Sequence, residues 1–191
     1  MGRADLHIHT RVSDGMGTIE QVLEFVEHRT GLDVVAITDH EDVTGGLRAR
    51  ELAAKRGYRF EVVAGAEVTS LQGHIRALFI ERDVPSFRSV EATLERSVSE
   101  RTLDRIEGRG EAGIAFDGIE LSNPSPAGRR TGARAVRLNA ARWRLPWVGG
   151  SDAHHLPHIG TGWTEYDGVS AEDLRSALQD GRVRGGMARY P

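Results

Sequence analysis

The chain has 191 residues, 39% of them hydrophobic, which allows one sizeable core and favours a single domain over residues 1–191. Its net charge of -3 excludes a wholesale basic surface of the kind that coats nucleic acid, while leaving a local basic patch open. With no cysteine there is neither a disulfide framework nor a thiolate, so any metal site must be built from His, Asp and Glu, which selects hard to borderline metals.

Short β-rich runs alternate with amphipathic helical stretches, the βαβα pattern of an α/β fold. The first strand carries Asp5-Leu6-His7-Ile8-His9-Thr10, where strand alternation sends both imidazoles to one face and the aliphatics to the other. Two imidazoles so close suit one divalent cation. Thr18 with Gln21 then forms a capping-box signature, and Ile19, Val22, Leu23, Phe25 and Val26 give a helical apolar face that Gly31 ends. Residues 34–38 are nearly all apolar, as in a strand covered on both faces. A helix over residues 46–56 stops at Gly57, and strands follow at 60–64 and 75–80.

Residues 89–97 and 99–107 read as two consecutive helices, where the alternation breaks. It resumes with a strand at 119–122, a loop over the Gly-, Pro- and Arg-rich residues 123–132, a basic amphipathic helix at 132–144 and a strand at 146–150. A last helix starts at Ser170, which caps ahead of Glu172 and Asp173. No apolar run approaches the roughly 20 residues that cross a bilayer, and the first residues lack the apolar stretch of a signal peptide. A soluble, cytoplasmic protein with no membrane partner is expected.

The titratable residues cluster by position. Of the 8 histidines only His28 falls within a helix, and the rest lie at or just beyond strands. His7 and His9 end the first strand, Asp39 and His40 the second, Glu67 follows the third, His74 opens the fourth, and Asp152 and His154 follow the strand at 146–150. In a βα-alternating fold the carboxyl ends of strands share one rim, which Asp14 also reaches from the loop after the first strand. Singly, a strand histidine or loop aspartate is usually a hydrogen-bonded structural group. Their joint placement instead indicates a mouth that holds two or three metal ions. Asp5 and Asp39 are read as carboxylates that orient nearby imidazoles. Glu120 is either an inward polar residue or an exposed one, and His155 and His158 are read as polar loop residues.

Four motifs carry a resemblance to a known family: His7-x-His9-Thr10-x-x-Ser13-Asp14-Gly15, Thr38-Asp39-His40, Gly65-Ala66-Glu67 followed by His74, and Gly150-Ser151-Asp152-Ala153-His154. Together they resemble the PHP (polymerase and histidinol phosphatase) domain of metal-dependent phosphoesterases, of the small stand-alone type. The resemblance implies a distorted (βα)7-type barrel and two to three divalent ions of Mn, Fe or Zn. It implies His7, His9, Glu67 and Asp152 around one ion, Glu67 bridging to a second ion held by His74, and Asp14, His40 and His154 on a third. Asp14, His40, Glu67 and His154 are the expected catalytic residues. One departure stands out: the family has a further strand histidine where this chain has none between His74 and His154, coincident with the broken alternation, so a segment near residue 97 is expected to be missing.

An ion cluster suits phosphoester hydrolysis, with a metal-bound hydroxide attacking phosphorus while a neighbouring ion neutralises the phosphoryl oxygens. The expected substrate is a phosphorylated small molecule, a nucleotide or a short nucleic-acid end, with Arg11, Arg129 and Arg130 as candidate phosphate contacts. The 6% aromatic content offers few stacking platforms for a long strand. The alternative is a degenerate, non-catalytic PHP-like metal-binding or scaffold domain. An amidohydrolase fits less well, because Lys55, the only lysine, lies in a predicted helix and cannot bridge ions at a strand end. A native polypeptide of 20.9 kDa by intact mass spectrometry places the missing segment's loss in the protein itself; a heavier one places it in the sequence.

Overall fold

Apolar runs alternating with capped helices give, in chain order, β1 (Gly2–Ile8), α1 (Ile19–Arg29), β2 (Val34–Ile37), α2 (Thr44–Arg56), β3 (Glu61–Ser70), β4 (Gly73–Leu78), β5 (Ile119–Ser122), α3 (Pro126–Leu138), β6 (Trp147–Gly149), β7 (Gly162–Tyr166), α4 (Ala171–Asp180) and β8 (Val183–Met187). The computed structural model describes residues 1–71, 73–89 and 116–189. The helices expected over 89–97 and 99–107 lie, from residue 90 on, outside the described residues, as does the break near residue 97.

Six strands form one sheet in the order β4-β3-β2-β1-β7-β8, and β5 and β6 form a separate parallel pair. β1, β2 and β3 run parallel, whereas β4, β7 and β8 are antiparallel to their neighbours. The α/β fold is thus present, and among the described residues its sheet is open and mixed. Antiparallel edges arise because β3 turns directly into β4, and β7 pairs on the far side of β1 and then with β8. The Thr164 hydroxyl donates to the Gly149 carbonyl and accepts from the Gly149 N–H, both at 2.9 Å, which ties the β5–β6 pair to the sheet. Among the described residues, no helix is long and apolar enough to cross a membrane.

Two apolar layers sandwich the sheet. Ile8, Val35, Ile37 and Val62 pack under α1 and α2 with Leu23, Val26 and Ala53, while Ala4, Leu6, Val34, Ala36 and Val63 pack with Tyr166 and with Leu174 and Leu178 of α4. β2 is buried along its whole length, as its apolar run requires. The Thr18–Gln21 capping box forms, and Ser170 makes a second one with Asp173.

Several expectations are corrected. Leu6 and Ile8 do not share a face: a register shift between Asp5 and Ile8 sends Leu6 to the α4 layer and Ile8 to the α1–α2 layer. The 123–132 loop is helical from Pro126, because Ser125 accepts from the Gly128 N–H at 3.1 Å and proline fits the first helical turn. That helix passes at Asn139–Trp143 into a π-helical turn. β7 and β8 go beyond the expected strands, since Val183–Met187 contains two glycines; at Gly185 and Gly186 a Cβ would come 2.5 Å from the rings of Trp147 and Trp163.

One buried carboxylate joins the two ends of the fold. Asp5 is fully buried and accepts backbone N–H groups from His7 at 3.2 Å, Ser151 at 2.8 Å and Gly160 at 2.8 Å. Burial pushes its carboxyl up to about 6 against the opposing pull of these donors. Asp5→Ala should destabilise the fold by about 3 kcal/mol, since it orphans buried donors, and Asp5→Asn by less, because it keeps an acceptor. Urea unfolding checks the order wild type, Asn, Ala; equal midpoints would remove Asp5 from this role.

Candidate metal centre

The sequence motifs meet because loop backbones continue the strand pairing past the strand ends. His9 N–H donates to the Ala153 carbonyl at 3.0 Å and Ala153 N–H to the His7 carbonyl at 3.2 Å, so the 151–154 segment lies alongside the end of β1. Asp152 takes a left-handed backbone, φ 55°, that aims its carboxylate at the two imidazoles. Glu67 N–H donates to the Asp39 carbonyl at 3.1 Å, which brings the second motif to β3. Glu67 lies inside β3, which ends at Ser70, rather than after the strand. His74 lies at the start of β4, which begins at the same rim because it runs antiparallel to β3.

Asp39 does not orient an imidazole. It accepts from the Thr10 N–H, the Thr10 hydroxyl and the Ser13 hydroxyl, each at 2.7 Å, and so holds the loop that carries Asp14. Asp5 likewise holds backbone rather than a ring. His28 is exposed on α1 beside Glu24, and the rings of His155 and His158 meet edge-on.

Three groups of donor atoms result, each with its atoms within 4.8 Å of one another: His7, His9 and Asp152; His40, Glu67 and His74; and His9, Asp14, His40 and His154. In the first, His7 Nε2 lies 3.1 Å from His9 Nε2 and 3.5 Å from Asp152 Oδ1, with Glu67 Oε2 at 3.1 Å. Glu67 Oε1 is 3.2 Å from His74 Nδ1, so its two oxygens face different groups. In the third, His154 Nε2 lies 3.1 Å from Asp14 Oδ2 and His9 Nδ1 lies 3.4 Å from Asp14 Oδ1. Among the described residues His9 Nδ1 is buried without a hydrogen-bond partner, as a ring nitrogen reserved for an ion would be. Since a neutral imidazole has one lone pair, His9 serves the first or the third group, not both together. All-N,O donors of this kind fit Mn, Fe or Zn.

The electrostatics agree. Burial pushes Glu67 up, yet hydrogen bonds to His7 and His9 and the charge of Arg76 hold its carboxyl well below the usual range. Asp152 is also held low against burial by His9 and His7. Burial lowers His7, but the Glu120 and Glu67 carboxylates together more than offset this and push it up to about 10.

A cavity of about 270 Å³ adjoins the cluster, lined by His7, Glu67, His74, Arg76, Glu120 and Asn123 with the small residues of α3. Arg76 is the one arginine lining it among the described residues. Arg11 is exposed and donates to the Met16 carbonyl, and Arg129 and Arg130 lie on the first turns of α3 rather than in a loop. Sequence reasoning misses Arg76, although two residues past His74 on a strand is the same face. Glu120 stays ambiguous on pattern alone, although it sits on a strand near its end like the other site residues.

The PHP domain pattern matches residues 5–112, more than half of the chain, and the PHP-associated pattern matches residues 133–183. The chain belongs to the PHP family. The phosphoribosyl 1,2-cyclic phosphate 1,2-diphosphodiesterase of Eggerthella lenta is 36% identical over 131 residues, covering 63% of this chain and 48% of that protein. The 3',5'-nucleoside bisphosphate phosphatase of Chromobacterium violaceum is 37% identical over 147 residues, covering 70% and 49%. The chain spans about half the length of these curated relatives. A two-domain Bacteroides vulgatus protein containing a PHP-like metal-dependent phosphoesterase shares the fold with TM-score 0.70 and 17% identity over 97% of this chain and 64% of that one.

Ion binding should release protons. Without an ion His7 keeps its proton up to about pH 10, whereas a ligand must offer a lone pair, so loading at neutral pH displaces that proton. Apparent affinity for Mn should therefore rise with pH up to about 10. Calorimetric titration in two buffers of different ionisation enthalpy reads the release directly, and identical heats in both would remove His7 as a protonated ligand.

Proposed function

We propose that this chain is a metal-dependent phosphoric ester hydrolase of the cytoplasm acting on a phosphorylated small molecule, a nucleotide or a short nucleic-acid end. It would hold two to three divalent ions, Mn, Fe or Zn, on His7, His9, Asp14, His40, Glu67, His74, Asp152 and His154, in a sheet whose closed family form is the distorted (βα)7 barrel. The convergence of four distant motifs into three adjoining donor groups carries this reading. A drifting scaffold would have lost several of these side chains. The names of the curated relatives, a diphosphodiesterase and a bisphosphate phosphatase, support the phosphoester class.

Bound divalent ions supply Lewis acidity that acidifies water and neutralises phosphoryl oxygens. The chain's own residues divide the remaining work. His7, His9 and Glu67 are almost fully buried and fix the geometry, while Asp14, His40 and His154 are partly exposed at the mouth, where a substrate arrives. His154 Nδ1 donates to the Asp152 carbonyl at 3.0 Å, which leaves Nε2, beside Asp14, with its lone pair turned toward the third ion group. The small cavity, lined by Arg76, favours a compact substrate, and Arg11, Arg129 and Arg130, which lie outside that lining, would contact its outer phosphate.

Manganese-loaded protein should hydrolyse bis-p-nitrophenyl phosphate or thymidine 5'-(p-nitrophenyl phosphate), lose activity with chelator and regain it with Mn. His9→Ala should lower kcat by about 100-fold or more, since a buried ligand of the ion cluster is removed. Inactivity across a phosphoester panel despite bound metal would instead establish the scaffold. Alanine at both Arg129 and Arg130 should raise KM severalfold for a phosphorylated substrate with kcat unchanged; unaltered kinetics would take both arginines out of the site.

A further inference from the structure

The imidazole of His7 has two sides, and they meet different chemistry. Nε2 faces His9, Glu67 and Asp152, the donors of the first ion group. Nδ1 faces away from them, toward Glu120, whose oxygens lie 3.1 and 3.4 Å off. The Glu120 side chain is only 6% exposed, and it belongs to none of the three donor groups. A carboxylate behind the ring cannot ligate the ion in front of it, so its role is toward the ring. Buried so deeply, it needs compensation, and two groups provide it. Asn123 Nδ2 donates at 2.7 Å, and the Arg76 guanidinium places Nε 3.2 Å from Oε2. Arg76 stands opposite Glu67 in the β3–β4 register, and its Nη1 lies 3.6 Å from Glu67 Oε1, so one cation sits between the two carboxylates. Room for the arrangement depends on Gly150, where a Cβ would fall 2.5 Å from the His7 Cβ and 2.9 Å from Glu120 Oε2.

We infer that Arg76, Asn123 and Glu120 form a relay that fixes the His7 tautomer, with the proton on Nδ1 and the lone pair on Nε2 directed to the ion. Glu120 is thus a positioning residue, and Arg76 the counter-charge that allows it to stay ionised in the interior. The relay brings together three elements, β4, β5 with its following loop, and the end of β1, behind a single ligand. It rests on the reading of His7 as a metal ligand. Partners of this kind behind a ligating histidine typically change metal affinity by about 10- to 100-fold.

The test uses the full chain, zinc as a diamagnetic probe, and nitrogen-15-labelled histidine. In the wild type, zinc binding should leave His7 Nδ1 protonated and shift Nε2 to a ligated position. Glu120→Ala should weaken zinc about 10- to 100-fold and abolish the slow exchange of the Nδ1 proton. Glu120→Gln, which retains an acceptor oxygen without the charge, should fall between the two and keep the tautomer. Glu51→Ala, on the exposed side of α2, should bind zinc as the wild type does. If the wild type binds no zinc, the reading of the metal centre itself fails. If the wild type binds zinc but Glu120→Ala binds it equally, or if Nδ1 is the ligated nitrogen, the relay alone is overturned. Should Glu120→Ala not fold, the isosteric Gln variant decides: an unchanged affinity together with a mobile His7 tautomer overturns the relay, and a severalfold loss with Nδ1 still protonated supports it.

Discussion

The Asp5 carboxylate is the interaction on which the rest depends. Near the start of the chain it gathers the N–H groups of His7, Ser151 and Gly160, so a single buried acceptor pins the end of β1 to a segment far along the sequence. It adds to the backbone pairing between His7, His9 and Ala153, the Ser151 hydroxyl's bond to the His7 carbonyl and the β1–β7 ladder in holding the two halves of the cluster together. Asp39 does the same for the Thr10–Ser13 loop. The carboxylates around the metal centre therefore divide into two kinds: those that hold backbone or loop hydroxyls, Asp5 and Asp39, and those that face imidazoles, Asp14, Glu67, Glu120 and Asp152.

That second kind creates an electrostatic problem that a bound cation would answer. Glu67, Glu120 and Asp152 crowd around His7 with little access to water, and buried carboxylates repel one another strongly. The compensation is distributed: Arg76 answers Glu120 and Glu67, and the imidazoles answer Glu67 and Asp152. A divalent ion would replace protons in the same place with greater charge density, which is why proton release and ion binding are two views of one equilibrium. The catalytic potential of the PHP framework lies in this substitution, because a cluster preorganised to hold cations is also preorganised to bind a phosphoryl group against them.

Much of the fold is legible in the chain's local patterns, and the exceptions have physical causes. The helices with full capping boxes, α1 and α4, declare themselves by local hydrogen bonding, and β2 by its unbroken apolar run. The start of α3 is hidden because glycine, proline and arginine together look like a loop, while the deciding feature is one serine hydroxyl before a proline. β8 is hidden because its glycines are there for neighbouring tryptophan rings, a requirement that no local pattern carries, and β7 is hidden with the strand it pairs to. The alternation of Leu6, His7, Ile8 and His9 gives the right destination for the imidazoles and the wrong one for the aliphatics, since a register shift cannot be seen from one strand alone.

By itself the sequence determined which side chains could meet, because strand ends and their following loops are set by periodicity and turn chemistry, and parallel strands present those ends on one rim. It could not determine which atom of each side chain faces which partner. That His7 offers Nε2 to the ion group and Nδ1 to Glu120, that His9 stands between two groups, and that Arg76 comes to rest between two carboxylates were decided by the tertiary structure. The reason is geometric: an imidazole presents two nitrogens in different directions, and only the packing of β1 against β3, β4, β5 and the 151–154 segment fixes how the ring is turned.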